Sequence, residues 1–309
     1  MCNRFRVICS AILIARLSNR KLYHSWSKEL SHEADISIIR HMRESTLATF
    51  FTEDLVVPFC ETDATTAVDE VFSEWEPGEY WYPMQSSAIR RCCWSGELNV
   101  ERSNADAILD SQADNILLET SLCLKPSFMT ESAFEFALSD IYVNHFKPLP
   151  PFQVAVERFT QNKTYVGVHI RRTDHLQHIR EANISVKNWA KIIRQRVRTN
   201  EAIYICSDDK PFAKAVTRLL TEYKILRVEE VFSEDPKINA YLEFLCLSKA
   251  SRIYGTVGSS FSREAALFGG RGFVHCSAKK PENIWGRLFD YIGIYPQRVE
   301  CCERPAPTP

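Results

Sequence analysis

Two adjacent arginines, Arg171 and Arg172, stand just past an apolar run that covers residues 164–170. The run is rich in β-branched residues and has the length of a buried strand. His169 lies near its end, and Asp174 follows the arginines. Arginine presents a planar fork of donors that matches phosphate oxygens, so a pair expects an anionic ligand with several oxygens. The competing reading is a surface strand end whose arginines pair with Asp174 and with acidic helices. In an open α/β sheet the C-terminal ends of the strands form the ligand edge, which favours the ligand.

Three further groups suit the same kind of ligand. Ser207, Asp208 and Asp209 follow the apolar run at 202–206. The two aspartates either cap the next helix or bind the ligand, and capping is the commoner use of such residues. Thr256, Gly258, Ser259, Ser260 and Ser262 follow another apolar run and open a helix. Free amides and hydroxyls at a helix start bind phosphate, although one serine there is expected as the N-cap. Glu243 sits in residues 241–247, which are apolar nearly all round a helix. A carboxylate placed there needs a partner, either a structural arginine such as Arg252 or the N–H donors of a nucleotide base.

Other signatures are missing from the sequence. It has no G-x-G-x-x-G after a strand and no G-x-x-x-x-G-K-[ST], so dinucleotide and P-loop binding lack support. It has no D-x-D triplet either, which leaves a metal-bridged pyrophosphate without evident ligands. Fixed cations must then carry leaving-group charge, and such electrostatic stabilisation is among the larger catalytic effects.

Residues so far apart in the chain need a scaffold that gathers them. From residue 151 onward the pattern alternates regularly. Helices are expected at 151–161, 185–199, 209–223, 235–250 and 260–268, the second with Trp189, Ile192, Ile193 and Val197 on one stripe. Strands are expected at 164–170, 202–206, 225–231, 252–257 and 272–276. Such alternation makes a parallel sheet with right-handed crossovers, a Rossmann-like α/β domain whose strand ends meet at one edge. Prolines 148, 150 and 151 read as a stiff linker, dividing the chain into domains 1–150 and 151–309.

The first domain is less regular. Residues 1–4 read as a loop leading into an apolar helix, and Lys21, Leu22 and Tyr23 as a short strand after it. The strand that should precede that loop is missing, so the sheet starts one strand short or the sequence is a truncated product. Residues 55–59 and 115–119 suit buried strands. The Pro- and Gly-punctuated stretch 75–83 reads as a loop pinned by Tyr80, Trp81 and Tyr82, ahead of a sugar-stacking platform.

The 309 residues are 45% hydrophobic and 25% charged, the composition of a soluble globular protein of one large or two ordinary domains. A net charge of -1 argues against nucleic acid or an anionic membrane as partner. Eleven scattered cysteines form no C-x-x-C pair, which speaks against zinc ribbons and thioredoxin-type chemistry. Cys206 and Cys246 lie inside apolar runs as expected core thiols, and a reducing, cytoplasmic compartment fits best. Arg16 breaks the apolar stretch at 7–15 well short of the ~18 residues that span a bilayer, so a core helix is expected in place of a signal or anchor. The sequon Asn162-Lys163-Thr164 abuts a strand and is discounted.

His169-Ile170-Arg171-Arg172-Thr173-Asp174 resembles the H-x-R-R-x-D motif of the α1,6-, α1,2- and protein O-fucosyltransferases. Residues 205–209 are similar to the second motif of that superfamily and residues 248–263 to its third. Met1-Cys2-Asn3-Arg4, followed by an apolar helix, is similar to its G-x-G-N-R loop, with Cys2 at a glycine position. The likeness covers residues 160–270 well and 1–26 loosely, and the C-terminal half is nearest the core α1,6-type and related bacterial enzymes. It implies a GT-B fold, two Rossmann-like domains facing across a cleft, with 1–150 the acceptor-side domain and 151–309 the nucleotide-sugar-binding one, and inverting transfer from GDP-β-L-fucose without metal or other cofactor. It further implies that Arg171 and Arg172 bind the pyrophosphate, His169 contacts the nucleoside and Glu243 reads guanine. Ser259 and Ser260 would hold phosphate oxygens, while Asn3 and Arg4 approach the donor from the other domain. Core α1,6-type enzymes carry a Lys directly after the motif's Asp and a Glu beyond it. Here His175 stands at the Lys position and Glu181 is the nearest carboxylate. The base is then His175, which titrates near neutrality, or Asp174.

The expectation is therefore a metal-independent, inverting glycosyltransferase that moves L-fucose from GDP-fucose to a glycan hydroxyl. Its catalytic set is Arg171, Arg172, Asp174 and His175. Its binding set is Asn3, Arg4, His169, Asp208, Asp209, Glu243, Thr256, Ser259, Ser260 and Ser262. The alternatives are the same fold with another sugar nucleotide, since arginines read phosphate and not sugar, or a catalytically silent nucleotide-sugar-binding protein.

Overall fold

A computed structural model describes residues 2–22, 51, 70–73, 89–92, 102–113, 116–119, 123–161, 163–173, 182–226 and 236–278. The chain divides into two compact units, 1–148 and 149–309.

In the first unit, helix α1 (Cys2–Leu17) is wrapped on nearly every side. Phe5, Ile8, Cys9, Ile12, Leu13 and Ile14 are buried, and so are Arg6 and Ser10. The helix stops where the Ser18 hydroxyl bonds the Ile14 carbonyl and Asn19 takes a left-handed φ of 53°. Parallel strands β1 (Glu70–Ser73), β2 (Ile89–Cys92) and, beyond β3 (Arg102–Asn104) and helix α2 (Asp106–Leu109), β4 (Ile116–Glu119) form a sheet in the order β2-β1-β4. Strand β3 pairs in parallel with β5 (Cys123–Lys125). Helix α3 (Glu131–His145) starts at Thr130, whose hydroxyl caps the Ala133 amide, and packs on α1. Phe5, Phe51 and Phe146 meet edge to face beneath it.

Two expectations for this unit are corrected. Residues 2–4 are the first turn of α1 and no loop, because Cys2 and Phe5 are already covered by the core and the helix continues back to reach them. Lys21 and Leu22 are not in a strand. Arg20 ties this stretch to the carbonyls of Ile108, Ser111 and Ala113, so side-chain bonds hold it in place of a ladder. The strand expected at 115–119 is β4, whereas Tyr23 and residues 55–59 and 75–83 lie outside the described residues.

The second unit opens with α4 (Pro150–Thr160). Its two prolines occupy the first helical positions, where a missing N–H costs nothing, so the proline run starts a helix and is no free linker. Pro148 is itself tied to Phe51 by an isolated bridge within the first unit. Then follow β6 (Tyr165–Ile170), α5 (Val186–Arg196), β7 (Ala202–Ser207), α6 (Lys210–Arg218), β8 (Lys224–Leu226), α7 (Pro236–Ser248), β9 (Arg252–Thr256), α8 (Ser260–Gly269) and β10 (Gly272–Cys276). Of the strand expected at 225–231, residues beyond 226 lie outside the described ones.

These five strands make one all-parallel sheet in the order β10-β9-β6-β7-β8. The chain builds outward from β6 to β8, then crosses back to lay β9 on the other side of β6. The strand order therefore reverses between β6 and β9. At such a switch point the loops leave in opposite directions and open a crevice beyond the strand ends.

Strand β6 is buried along its whole length, and its side chains alternate between two helical layers. Val166, Val168 and Ile170 join Trp189, Ile193 and Val216 in the core under α5 and α6. Each such aliphatic side chain contributes about 1.5–3 kcal/mol by leaving water. Tyr165, Gly167 and His169 face the other layer. The Tyr165 hydroxyl reaches the Cys246 carbonyl at 2.5 Å, and a Cβ on Gly167 would stand 2.7 Å from Leu247 Cδ1. Cys206 and Cys246 are buried free thiols, and burial pushes both of their pKa values up. Among the described residues, no helix is long and apolar enough to cross a membrane.

Candidate functional site

The ends of β6, β7 and β9 are stitched together by short polar side chains. The Ser207 hydroxyl donates to the Ile170 carbonyl at 2.6 Å and accepts from the Asp209 amide at 3.0 Å. From the other side the Arg171 amide donates to Thr256 Oγ1 at 2.9 Å, and that hydroxyl reaches the His169 carbonyl at 3.4 Å. The segment carrying the arginines is thus fixed at the switch point before any guanidinium is considered.

Asp208 completes the turn. One oxygen accepts from the Arg172 amide at 2.9 Å, the other from the amide and hydroxyl of Thr173 at 3.1 and 2.6 Å. The same carboxylate lies 3.3 Å from Arg171 Nε. The Asp209 carboxylate serves two partners. Oδ1 caps α6 through the Phe212 amide at 2.9 Å, and Oδ2 pairs with Arg172 Nε at 3.3 Å. Of the two uses open to these aspartates, Asp209 caps and Asp208 shapes the arginine turn.

The two arginines differ in their settings. Arg172 holds its guanidinium carbon over the Phe212 ring, 3.8 Å from the centroid, and reaches the Ile184 carbonyl, leaving its side chain 19% exposed. The Arg171 side chain is 33% exposed. Neither is bare, as a purely ligand-directed pair would be. A guanidinium has five donors, however, so pairing through Nε does not exhaust it.

On the β9 side, Gly258 adopts a left-handed φ of 72° and turns the chain into α8. Ser259 occupies the N-cap position but makes no capping bond. Its hydroxyl meets His169 Nδ1 at 3.2 Å instead, and the imidazole stacks on Phe261 at 4.7 Å. His169 is 4% exposed, so the ring pins the serine turn from below. Ser262 is fully buried and reaches the Ser259 carbonyl at 3.4 Å, while Ser260, the first residue of α8, is half-buried. The first turn of α8 leaves its amides at the β6–β9 crevice, the arrangement that favours anions.

Glu243 lies just past the middle of α7, the helix that leaves this edge after β8 ends. Its partner is Lys210, the first residue of α6. The expected partner Arg252 is corrected. It begins β9 at the opposite edge of the sheet and binds Glu201 at 2.7 Å, Tyr254 and the Arg196 carbonyl. Burial raises the Glu243 pKa above the ordinary carboxylate value; Lys210 pulls it back, and nearby Asp208 pushes it further up.

The structure therefore gathers His169, Arg171, Arg172, Asp208, Asp209, Thr256, Ser259, Ser260 and Ser262 around one sheet edge, with Glu243 on the adjoining helix. Asp174 and His175 lie outside the described residues, and Asn3 and Arg4 are in α1 of the other unit. Sequence reasoning placed Ser207 at this edge but missed Thr173, Lys210 and Phe212 as partners. The spacing of Asp209 and Phe212 was a usable signal, since a cap and the third residue after it share one helical turn.

No family model and no curated protein matches the sequence. Solved structures do. A mutant of FUT1 from Arabidopsis thaliana in complex with GDP aligns with a TM-score of 0.54 at 14% identity, covering 92% of this chain and 69% of that one. POFUT1 in complex with GDP-fucose aligns with a TM-score of 0.47 at 11% identity, covering 87% and 90%. The fucosyltransferase NodZ from Bradyrhizobium aligns with a TM-score of 0.38 at 16% identity, covering 54% and 55%. The likeness to FUT1 defines the class of fold. This is an α/β protein with a parallel sheet between helical layers, the fold of the GT-B fucosyltransferases.

Proposed function

We propose that this chain is an inverting, metal-independent glycosyltransferase that transfers L-fucose from GDP-fucose to a hydroxyl of a glycan acceptor. The observation that carries the reading is the arginine turn, held by Thr256 and Asp208 at the reversal of strand order. An acceptor hydroxyl attacks the anomeric carbon from the face opposite GDP, the bond between that carbon and the β-phosphate oxygen breaks, and one further negative charge grows on the departing diphosphate. Arg171 and Arg172, the first-turn amides of α8, and Ser259 and Ser260 receive that charge without reorganising. His169 supports the serine turn. Glu243 accepts from the N–H donors of the base, and guanine offers two of them side by side. The acceptor proton goes to Asp174 or His175. That the FUT1 structure holds GDP supports a guanine nucleotide as the ligand.

Calorimetric titration with GDP, UDP and GDP-fucose in the presence of chelator, alongside Arg171→Ala, tests the reading. Tight GDP binding that the substitution weakens by at least about tenfold, ~1.4 kcal/mol, is the expected result. Preference for UDP sinks the fucosyl assignment and keeps a transferase of another sugar nucleotide. GDP-fucose bound without turnover over a panel of glycan acceptors points to a silent binding protein.

A further inference from the structure

Lys210 adds a cation to the nucleotide edge of the sheet. It opens α6 directly after the cap Asp209, its side chain is 63% exposed, and it meets the carboxylate of Glu243, which is 15% exposed. The two are 33 residues apart, so the pair joins two helices that the sheet brings together at its ligand edge. The carboxylate has unfavourable surroundings. Tyr204 and Cys206 of β7 and Cys246, one turn along α7, are buried groups beside it, and Asp208 adds a like charge. In such a place a carboxylate takes up a proton unless a cation holds it ionised. A protonated acid presents an O–H where a base edge needs an acceptor.

We propose that Lys210 is a positioning residue of the nucleotide site, which keeps the Glu243 carboxylate charged and aimed as the acceptor for the N–H donors of a guanine-type base. The inference rests on the reading of Glu243 given above and adds a second residue to base selection. Lys210 acts through Glu243, and its signature is therefore a dependence on pH. Burial sets the Glu243 pKa high and Lys210 lowers it, so removing the ammonium raises it again. Binding needs the ionised form and is lost as pH falls through that value. Without Lys210 the loss begins at higher pH.

The test uses the full chain. GDP affinity is measured by calorimetry between about pH 5 and 8 for wild type, Lys210→Met, Lys210→Arg and Glu243→Gln. Glu243 itself is followed without nucleotide by its carboxyl carbon resonance, assigned by its disappearance in Glu243→Gln. The expected result is that Lys210→Met moves both the Glu243 titration and the acid loss of affinity to higher pH. The variant is weaker than wild type by about tenfold on the acid side for each unit of that move, and affinities converge toward alkaline pH. Lys210→Arg restores the wild-type profile. Loss of affinity by the same factor at every pH overturns the proposal, because a helix brace or a direct phosphate contact behaves that way. An unmoved Glu243 titration overturns it too, as does wild-type GDP affinity in Glu243→Gln. If wild type binds no guanine nucleotide, the functional reading fails, and the ligand-free titration shows separately whether Lys210 holds Glu243 ionised.

Discussion

Arg171 and Arg172 are neighbours with different duties. The Arg172 guanidinium lies over Phe212 and is tied to Asp209 and the Ile184 carbonyl, so it braces α6 against the chain leading to α5. Removing it takes away a cation–π contact and a charged hydrogen bond together. Arg172→Ala is expected to cost about 1–2 kcal/mol of stability in urea melts as well as nucleotide affinity, whereas Arg171→Ala lowers affinity with little change in the melt. Equal stability of the two variants would refute that division. Glu243 gives a second prediction. Its pKa is raised in the fold by burial, so the folded state prefers the neutral acid. That preference is complete below the ordinary carboxylate range and is lost as pH rises through the raised value. Glu243→Gln is neutral throughout. Its Tm is therefore expected above wild type near about pH 7.5, with the gain vanishing toward about pH 4. A lower Tm at the higher pH would mean that the Lys210 pair outweighs burial.

Among the elements, β9 and α8 are held at a distance that tolerates no side chain at Gly255. A Cβ there would stand 2.2 Å from Ser262 Oγ, 2.6 Å from Ser262 Cβ and 2.8 Å from Phe273. Gly255→Ala must push α8 off the sheet, and α8 carries Ser259 and Ser260 at its start. The expected outcome is a loss of about 1–3 kcal/mol in chemical denaturation together with weaker GDP binding. Unchanged binding in a destabilised variant would detach the serine turn from the ligand. The elements of this unit are legible in the sequence because β-branched runs alternate with amphipathic helices from residue 150 to 276. Their pairing of charges is not. Glu243 is open to Arg252 in sequence, yet the sheet sends Arg252 to the far edge and brings in Lys210. Asp208 and Asp209 look alike as helix caps, and only the direction in which β7 ends decides which one caps. The start of α1 misleads for a related reason. Residues 1–4 resemble a loop motif, but the apolar side chains from Cys2 onward are covered by the core, and that burial extends the helix. Pro150 and Pro151 look like a linker because proline breaks helices, but proline also begins them.

The whole molecule joins two units of unequal legibility, and the candidate ligand groups are concentrated in the second. Residues 149–309 contain the entire five-stranded sheet, a core built around Val166, Val168, Trp189 and Ile193, and the arginine turn with its clamps. They also hold the α8 turn and the Lys210–Glu243 pair. Each of these parts is assembled from side chains of the second unit. A unit with its own sheet and core is expected to fold when expressed alone. Residues 149–309 should then melt cooperatively and bind GDP with a loss below about 1.4 kcal/mol, tenfold in Kd, relative to the full chain. The same fragment should fail to transfer fucose, because the acceptor side is expected in residues 1–150. A folded fragment without GDP affinity would place essential donor contacts in residues 1–148, where Asn3 and Arg4 are the first side chains to substitute.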